Sequence, residues 1–143
     1  MSQRSYLSYM TTDIKKLRKK DLNKSFELIS SYDKFELDLP NLAELWVYFK
    51  KALSFGYFIN ENLVGLVICE ITLNKQAYIW YLIVDEKYRG RGIGQKLILE
   101  LEGKLKSKKI KKIFLNSSED SKKFYEKLDF MLGDDVTEMI KYI

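Results

Sequence analysis

Apolar positions along the chain recur with two different periods, and the switches between them divide it into elements. From Asp13 the segment DIKKLR alternates and predicts a first strand; Lys20-Asp21 then opens a helical stretch in which Leu22, Phe26 and Ile29 return at helical spacing. Residues 30–39 break that period with an acidic connector carrying Asp33, Glu36 and Asp38. Pro40-Asn41 starts a second helix with Leu42, Leu45, Trp46, Phe49 and Leu53 on one face. Residues 56–60 and 63–71 are rich in β-branched and aromatic side chains and are joined by Glu61-Asn62, a hairpin spacing; after a turn at 74–76, residues 77–84 complete a meander. A helix over 92–106 turns Ile93, Leu97, Ile98, Leu101 and Leu105 inward, and a strand follows over 112–116. Because a helix joins these last two strands, they are expected to be parallel neighbours with a right-handed crossover. A short helix over 121–128 and closing strands over 130–132 and 137–143 complete the pattern. Residues 1–10 have no period and read as a loose arm from which Tyr6, Leu7 and Tyr9 can pack on the surface.

The fold class is therefore mixed α and β. At 143 residues, 46% hydrophobic and 31% charged, the chain has the size and composition of one globular domain over 1–143. Cys69 is the only cysteine and histidine is absent, so an internal disulfide is excluded and a conventional zinc or histidine-based site is not expected. No metal is implied. The apolar runs are shorter than the roughly 18 residues of a membrane span and the first ten residues are too polar for a signal peptide, so a cytoplasmic protein is expected. The net charge of +5 comes largely from lysines at 15–20 and 104–112. Such runs are usually solvated helix faces; they lack interleaved aromatics, which leaves nucleic acid a minority option and steering of a polyanionic ligand an intermediate one.

The candidate chemistry begins at 81–97, YLIVDEKYRGRGIGQKL, where an apolar strand stops at Asp85 and Gly90, Gly92 and Gly94 alternate into a helix start. Backbone N–H groups of a first helical turn have no internal partner, the helix dipole adds positive charge, and glycines remove the Cβ that would hold an anion away. Arg89 and Arg91 add two guanidinium groups. The expected guest is a pyrophosphate. A dinucleotide fold would show GxGxxG after its first strand with an acid about 20 residues on, and a phosphate loop would show GxxxxGK followed by Ser or Thr; neither is present.

Arg89-Gly90-Arg91-Gly92-Ile93-Gly94, after a strand ending in Val-Asp, resembles the acyl-CoA loop (Q/R)xxGx(G/A) of the GCN5-related N-acetyltransferases (GNAT). Further on, Phe124-Tyr125-Glu126-Lys127-Leu128-Asp129-Phe130 resembles the FYEKLGF segment of the same family, in the right order and after a strand and a serine-rich loop. The likeness covers residues 56–132. It implies the GNAT fold, a mixed and mostly antiparallel sheet flanked by helices, with acetyl-CoA entering a V-shaped splay between central strands. It implies that backbone groups of Leu82, Ile83 and Val84, at a bulging strand end, hold the acetyl carbonyl and pantetheine arm. Arg89, Gly90, Arg91, Gly92, Ile93 and Gly94 would bind the pyrophosphate, with Gln95 continuing the first turn. Asn116 and Ser118 would lie beside the pantetheine, and Tyr125 near the thioester sulfur as a proton donor. A homodimer is compatible with the resemblance. The family's glycine in the last motif is Asp129 here, a residue that tolerates left-handed backbone, and Ser118 and Ser121 replace the common Asn and Ala.

What the resemblance implies is acetyl-CoA-dependent N-acetyltransfer to a primary amine, a small molecule or a protein, by direct attack. Cys69, mid-strand and without a histidine, is no nucleophile. Positions 78 and 80, where the family often supplies a glutamate, are Tyr78 and Trp80, residues that more often pack on a sheet. Glu70 on the neighbouring strand is the strand-borne carboxylate candidate for the base; Tyr78, a water chain or binding of the neutral amine are the alternatives. The acidic connector would favour a cationic acceptor. The rival class is a binding module that holds acyl-CoA without catalysis, as a sensor or interaction partner.

Overall fold

The computed structural model describes residues 10–32, 40–133 and 139–143. The chain runs β1 (Thr12–Lys16), a 3-10 turn (Lys19–Asp21), α1 (Leu22–Tyr32), α2 (Leu42–Lys51), β2 (Leu53–Ile59), β3 (Asn62–Ile71), β4 (Ala77–Val84), a second 3-10 turn (Glu86–Tyr88), α3 (Ile93–Ser107), β5 (Ile113–Phe114) and α4 (Glu119–Glu126). The five strands form one sheet in the order β1-β2-β3-β4-β5. Every pairing is antiparallel except β4 with β5, which is parallel, as the intervening helix requires. The expected mixed, mostly antiparallel sheet is thus the one found.

The meander is buried on both faces. Val64, Val67 and Cys69 of β3 meet Ile93, Leu97, Leu101 and Leu105 of α3 on one side, while Leu63, Leu66 and Ile68 meet Leu28 and Ile29 of α1 and Leu45 and Phe49 of α2 on the other. Alternation along β3 supplies both cores from one strand. Gly56 is required by the second of these. A Cβ there would come within 2.5 Å of Leu63 Cδ1, 2.8 Å of Leu17 Cδ2 and 2.9 Å of Phe58 Cε2.

Helix α2 begins where Pro40-Asn41 predicts: the Asn41 side chain accepts a hydrogen bond from Glu44 N at 2.8 Å and donates to Glu44 Oε1 at 2.7 Å. It ends earlier than expected. Ala52 is already extended and Leu53 opens β2 instead of continuing the helical face, because the main chain must turn into the strand that carries Phe55 and Tyr57. Met10 also departs from the expected loose arm by packing against the α3-side core; Tyr6, Leu7 and Tyr9 lie outside the described residues.

The register of the meander is irregular at two points. Tyr57 pairs with Gly65 but Phe58 with Leu63, so Val64 is an extra residue on β3. Ile68 pairs with Tyr81 but Cys69 with Ile79, so Trp80 is an extra residue on β4. The expected bulge at Leu82–Val84 therefore lies two residues earlier, at Trp80.

Beyond α3 the order thins. The strand expected over 112–116 is reduced to Ile113 and Phe114, and neither 130–132 nor 139–143 forms a strand. Phe130 packs against the α3-side core, but Met131 and Leu132 are 90% and 75% exposed and Met139 90%, so little rewards the ordering of a further ladder. Helix α4, expected over 121–128, begins earlier, at Glu119, and places Glu119 and Asp120 in its first turn, where the helix dipole favours them. Among the described residues no helix is long and apolar enough to cross a membrane, and no cluster of three or more acidic or cysteine side chains could hold a metal.

Candidate active site

The glycine loop is built as a turn into an open helix end. Asp85 N donates to the bulge carbonyl Val64 O at 2.8 Å and Asp85 Oδ1 accepts from Lys87 N at 3.1 Å, which fixes the exit from β4. Gly90 and Gly92 have φ of 79° and 78°, the left-handed region that costs other residues strain. Gly92 is the N-cap of α3 and offers no side-chain cap; the first intrahelical acceptor is Gly92 O, taken by Lys96 N at 3.1 Å. The N–H groups of Ile93, Gly94 and Gln95 are therefore without a helical acceptor. A Cβ at Gly90 or Gly92 would meet nothing within 4 Å, so the face before the helix is clear. Gly94 has a different part. Its Cβ would stand 3.1 Å from Phe124 Cζ, so this glycine lets α4 close on the first turn of α3.

Arginines frame the loop unequally. Arg89 Nε donates to Val84 O at 3.1 Å, tying the loop back to the strand, and the Arg91 guanidinium lies over the Tyr88 ring at 5.2 Å. The side chain of Ile93 is core, as is that of Ile83, so any contact these two make with a guest is through backbone.

Between β4 and β5 the sheet divides. The strands pair only at Ala77 with Ile113 and Tyr78 with Phe114, so from Ile79 to Val84 the β5-side edge of β4 has no strand partner among the described residues. Leu82, Ile83 and Val84 lie on this stretch while pairing on the other side with Val67, Leu66 and Gly65. Asn116 is exposed just past β5, and Ser118 precedes α4, its Oγ 3.3 Å from Ser121 Oγ. Ser118 occupies the N-cap position without capping, so no helical bond fixes its hydroxyl.

Tyr125 lies on α4, half-buried between Phe124 and Phe130, with ring centroids 5.0 and 5.4 Å away. Burial, and then the neighbouring Tyr32 phenol, push its pKa from 10.0 up to about 12. It stays a protonated donor through the neutral range. Asp129 adopts φ 67°, the left-handed conformation expected where the motif has glycine, and lets Phe130 N return to Tyr125 O at 3.1 Å. Cys69 is fully buried, and burial together with the Glu70 carboxylate raises its thiol from 9.0 to about 12. Such a thiol supplies almost no thiolate at neutral pH.

Glu70 is exposed and its Oε2 accepts the Trp80 indole N–H at 2.8 Å. Trp80, expected to pack on the sheet, is instead 56% exposed. Its ring meets Tyr78 edge-on at 4.8 Å, and Tyr78 meets Phe114 at 4.9 Å, so a row of rings crosses the point where β4 and β5 part. Tyr32, at the end of α1, carries no motif, and Trp80, at a position where the family often has a glutamate, reads in the sequence as a sheet-packing residue; its bond to Glu70 depends on the bulge. Asp33, Glu36 and Asp38 lie outside the described residues. An open cleft of about 590 Å³ lies between the start of α1, the β2–β3 hairpin and the turn that follows β4, and its Lys20, Lys24 and Lys87 are balanced by Asp21, Glu61 and Asp85.

With this geometry in hand, comparison with known proteins is direct. A family model described as acetyltransferase (GNAT) family matches residues 14–130. Over 54 residues the chain is 49% identical to a glucosamine 6-phosphate N-acetyltransferase of Trypanosoma brucei brucei; the match spans 38% of this chain and 37% of that protein's length. Among solved structures it resembles the ribosomal-protein-alanine N-acetyltransferase of Brucella melitensis biovar Abortus 2308, with 25% identity, TM-score 0.75 and coverage of 92% of this chain and 99% of the other. The paia N-acetyltransferase of Thermoplasma acidophilum in complex with coenzyme A is alike in fold, with TM-score 0.77, 22% identity and coverage of 88% and 93%.

Proposed function

We propose that the chain, which belongs to the GNAT acetyltransferase family, passes the acetyl group of acetyl-CoA directly to a primary amine. One observation carries this reading: an unobstructed, left-handed glycine turn before α3 follows a strand that pairs with β5 only at Ala77 and Tyr78. Helix-terminal N–H groups suit a pyrophosphate, and a strand that parts from its neighbour suits the amides of a pantetheine arm. Acetyl-CoA supplies the activated acyl carbon; the chain binds, orients and manages protons. Ile93, Gly94 and Gln95 would donate backbone N–H groups to the pyrophosphate, with Gly90, Gly92, Arg89 and Arg91 around it. Backbone donors in Leu82, Ile83 and Val84 would face the acetyl oxygen, where preorganised hydrogen bonds act most strongly on developing charge. Asn116 and Ser118 would flank the arm from the β5 side.

Tyr125 would donate a hydrogen bond to the departing sulfur. With its own pKa near 12, above the about 8.5 of a thiol, it steadies a thiolate better than it protonates one. The acceptor must shed a proton before attack, since a lysine-like amine has a pKa of about 10.4, and Glu70 is the carboxylate assigned to that step. Cys69 takes no part, because its thiol is buried and protonated.

Gly92→Glu tests the donor side. It brings a Cβ at positive φ and a negative charge against the anion, and calorimetry is expected to show coenzyme A binding abolished; unchanged affinity would refute the assignment of the loop. The rival reading, an acyl-CoA-binding module without turnover, draws on the attachment of the strand carboxylate Glu70 to an indole. Coenzyme A binding with no amine-dependent thiol release would establish it.

A further inference from the structure

The row of rings at the mouth of the splay is not needed to bind coenzyme A, and its position suggests a use. Trp80 is the extra residue of a bulge, so it and Tyr81 both turn to the Glu70 side of β4, Tyr81 packing under the helices and Trp80 standing out. Leu82 is two residues further, about 7 Å at strand rise, so Trp80 and Glu70 lie beside the stretch proposed to hold the acetyl group. Glu70 uses one oxygen on the indole N–H at 2.8 Å, and a carboxylate retains acceptor sites beyond that. Among the described residues no ammonium or guanidinium pairs with Glu70 or covers the Trp80 ring. At the far end of the row the Lys112 ammonium rests over Phe114 at 5.6 Å, so these rings already accept an alkylammonium of the chain itself.

We propose that Glu70 and Trp80 form one acceptor site for a primary alkylammonium: the carboxylate, aimed by the indole, takes the charged nitrogen, and Trp80 and Tyr78 take its aliphatic stem. The inference rests on the acetyl-transfer reading and narrows its substrate to an amine on an unbranched alkyl chain, in a free diamine or a lysine side chain, rather than an amino sugar. The amine nitrogen bonds the acetyl carbon as the carbon–sulfur bond breaks. Of the two protons the ammonium loses, one leaves to solvent through Glu70 and the other ends on the coenzyme A sulfur. Trp80 thus has two parts, contacting the stem with its ring and positioning Glu70 through its N–H.

The test measures thiol release from acetyl-CoA with cadaverine, a lysine-containing peptide and glucosamine 6-phosphate. Alkylamines are expected to exceed the sugar amine by about tenfold or more in kcat/KM, the scale of burying a pair of stem methylenes against the rings. A diamine or a peptide as the better substrate supports the site and identifies its source. Trp80→Phe keeps the ring and removes the N–H; it is expected to raise the acceptor KM about tenfold and leave the acetyl-CoA KM unchanged. Glu70→Gln is expected to lower kcat/KM for the acceptor about 100-fold. Both side chains are exposed, so neither change should unfold the chain. Preference for glucosamine 6-phosphate, or an acceptor KM unmoved in Trp80→Phe, overturns this site while leaving acetyl transfer standing. Bound acetyl-CoA with no thiol release for any amine overturns both.

Discussion

The two edges of β4 behave differently. Toward β3 it pairs at every residue but the bulged Trp80, with seven Cα partners from Gly65 to Ile71; toward β5 it pairs at Ala77 and Tyr78 alone. The difference extends into the packing on either side. β3 is buried over seven consecutive residues, whereas α4 has no buried residue at all. The meander thus provides rigidity and the β5–α4 region provides access. A site for a ligand that must enter and leave is best placed on the boundary, with one wall that does not move and one that is cheaply held.

Substitutions should register this asymmetry. Leu66→Ala, at a position with 0% exposure between β3 and the α1–α2 core, is expected to cost about 2–5 kcal/mol in denaturant unfolding; a loss below about 1 kcal/mol would break the contrast. Gly56→Val, which drives a branched side chain into Leu63, Leu17 and Phe58, is expected to cost about 1–3 kcal/mol by the same measurement. Gly94→Ala belongs to the other region. Its methyl meets Phe124, a side chain exposed enough to yield, and alanine gains up to about 1 kcal/mol of helix propensity, so stability should barely change. The displacement falls on Tyr125, and kcat should drop severalfold; unchanged turnover would show that α4 need not seat closely on α3.

The smallest effect is with pH, and it separates the regions by residue. Cys69 and Tyr125 have folded pKa values of about 12, raised from 9.0 and 10.0. Below about pH 8 both are protonated in folded and unfolded chains and contribute no slope. Above it the unfolded chain releases protons that the folded one retains, so stability falls as pH rises toward 12. Cys69→Val should flatten the start of that decline and Tyr125→Phe the part above pH 10. Coincident curves for both variants and the parent would remove the distinction.

Legibility in the sequence divides along the same line. Whatever depends on neighbours in the chain was readable: the strand–glycine–helix order at 81–97, the Asn41 start of α2, the meander, and the left-handed turn at Asp129. Whatever depends on the register of pairing was not. Leu53 fits a helical face as well as a strand start, and only its pairing with Cys69 decides between them. The bulge belongs to the alignment of β3 with β4, so its position at Trp80 and the resulting bond to Glu70 have no signature in either segment alone. The strands anticipated at 130–132 and 137–143 have the right composition, but beyond Phe130 the described apolar side chains there are exposed. Of the candidate site, the loop and Tyr125 were legible because a motif carries them, while the acceptor side rests on contacts between distant segments.

Arg89 has one more consequence. A strand with an open edge is a template on which a second molecule can add its own strand, and proteins usually blunt such edges. Along β4 a bulge interrupts the ladder at Trp80 and the Arg89 side chain occupies the Val84 carbonyl, which leaves only a short regular stretch between them. Removing Arg89 would lengthen that stretch by one acceptor and take away a positive charge that repels a like copy. The loop proposed to hold the donor would thereby also discourage a second copy from pairing along the same edge.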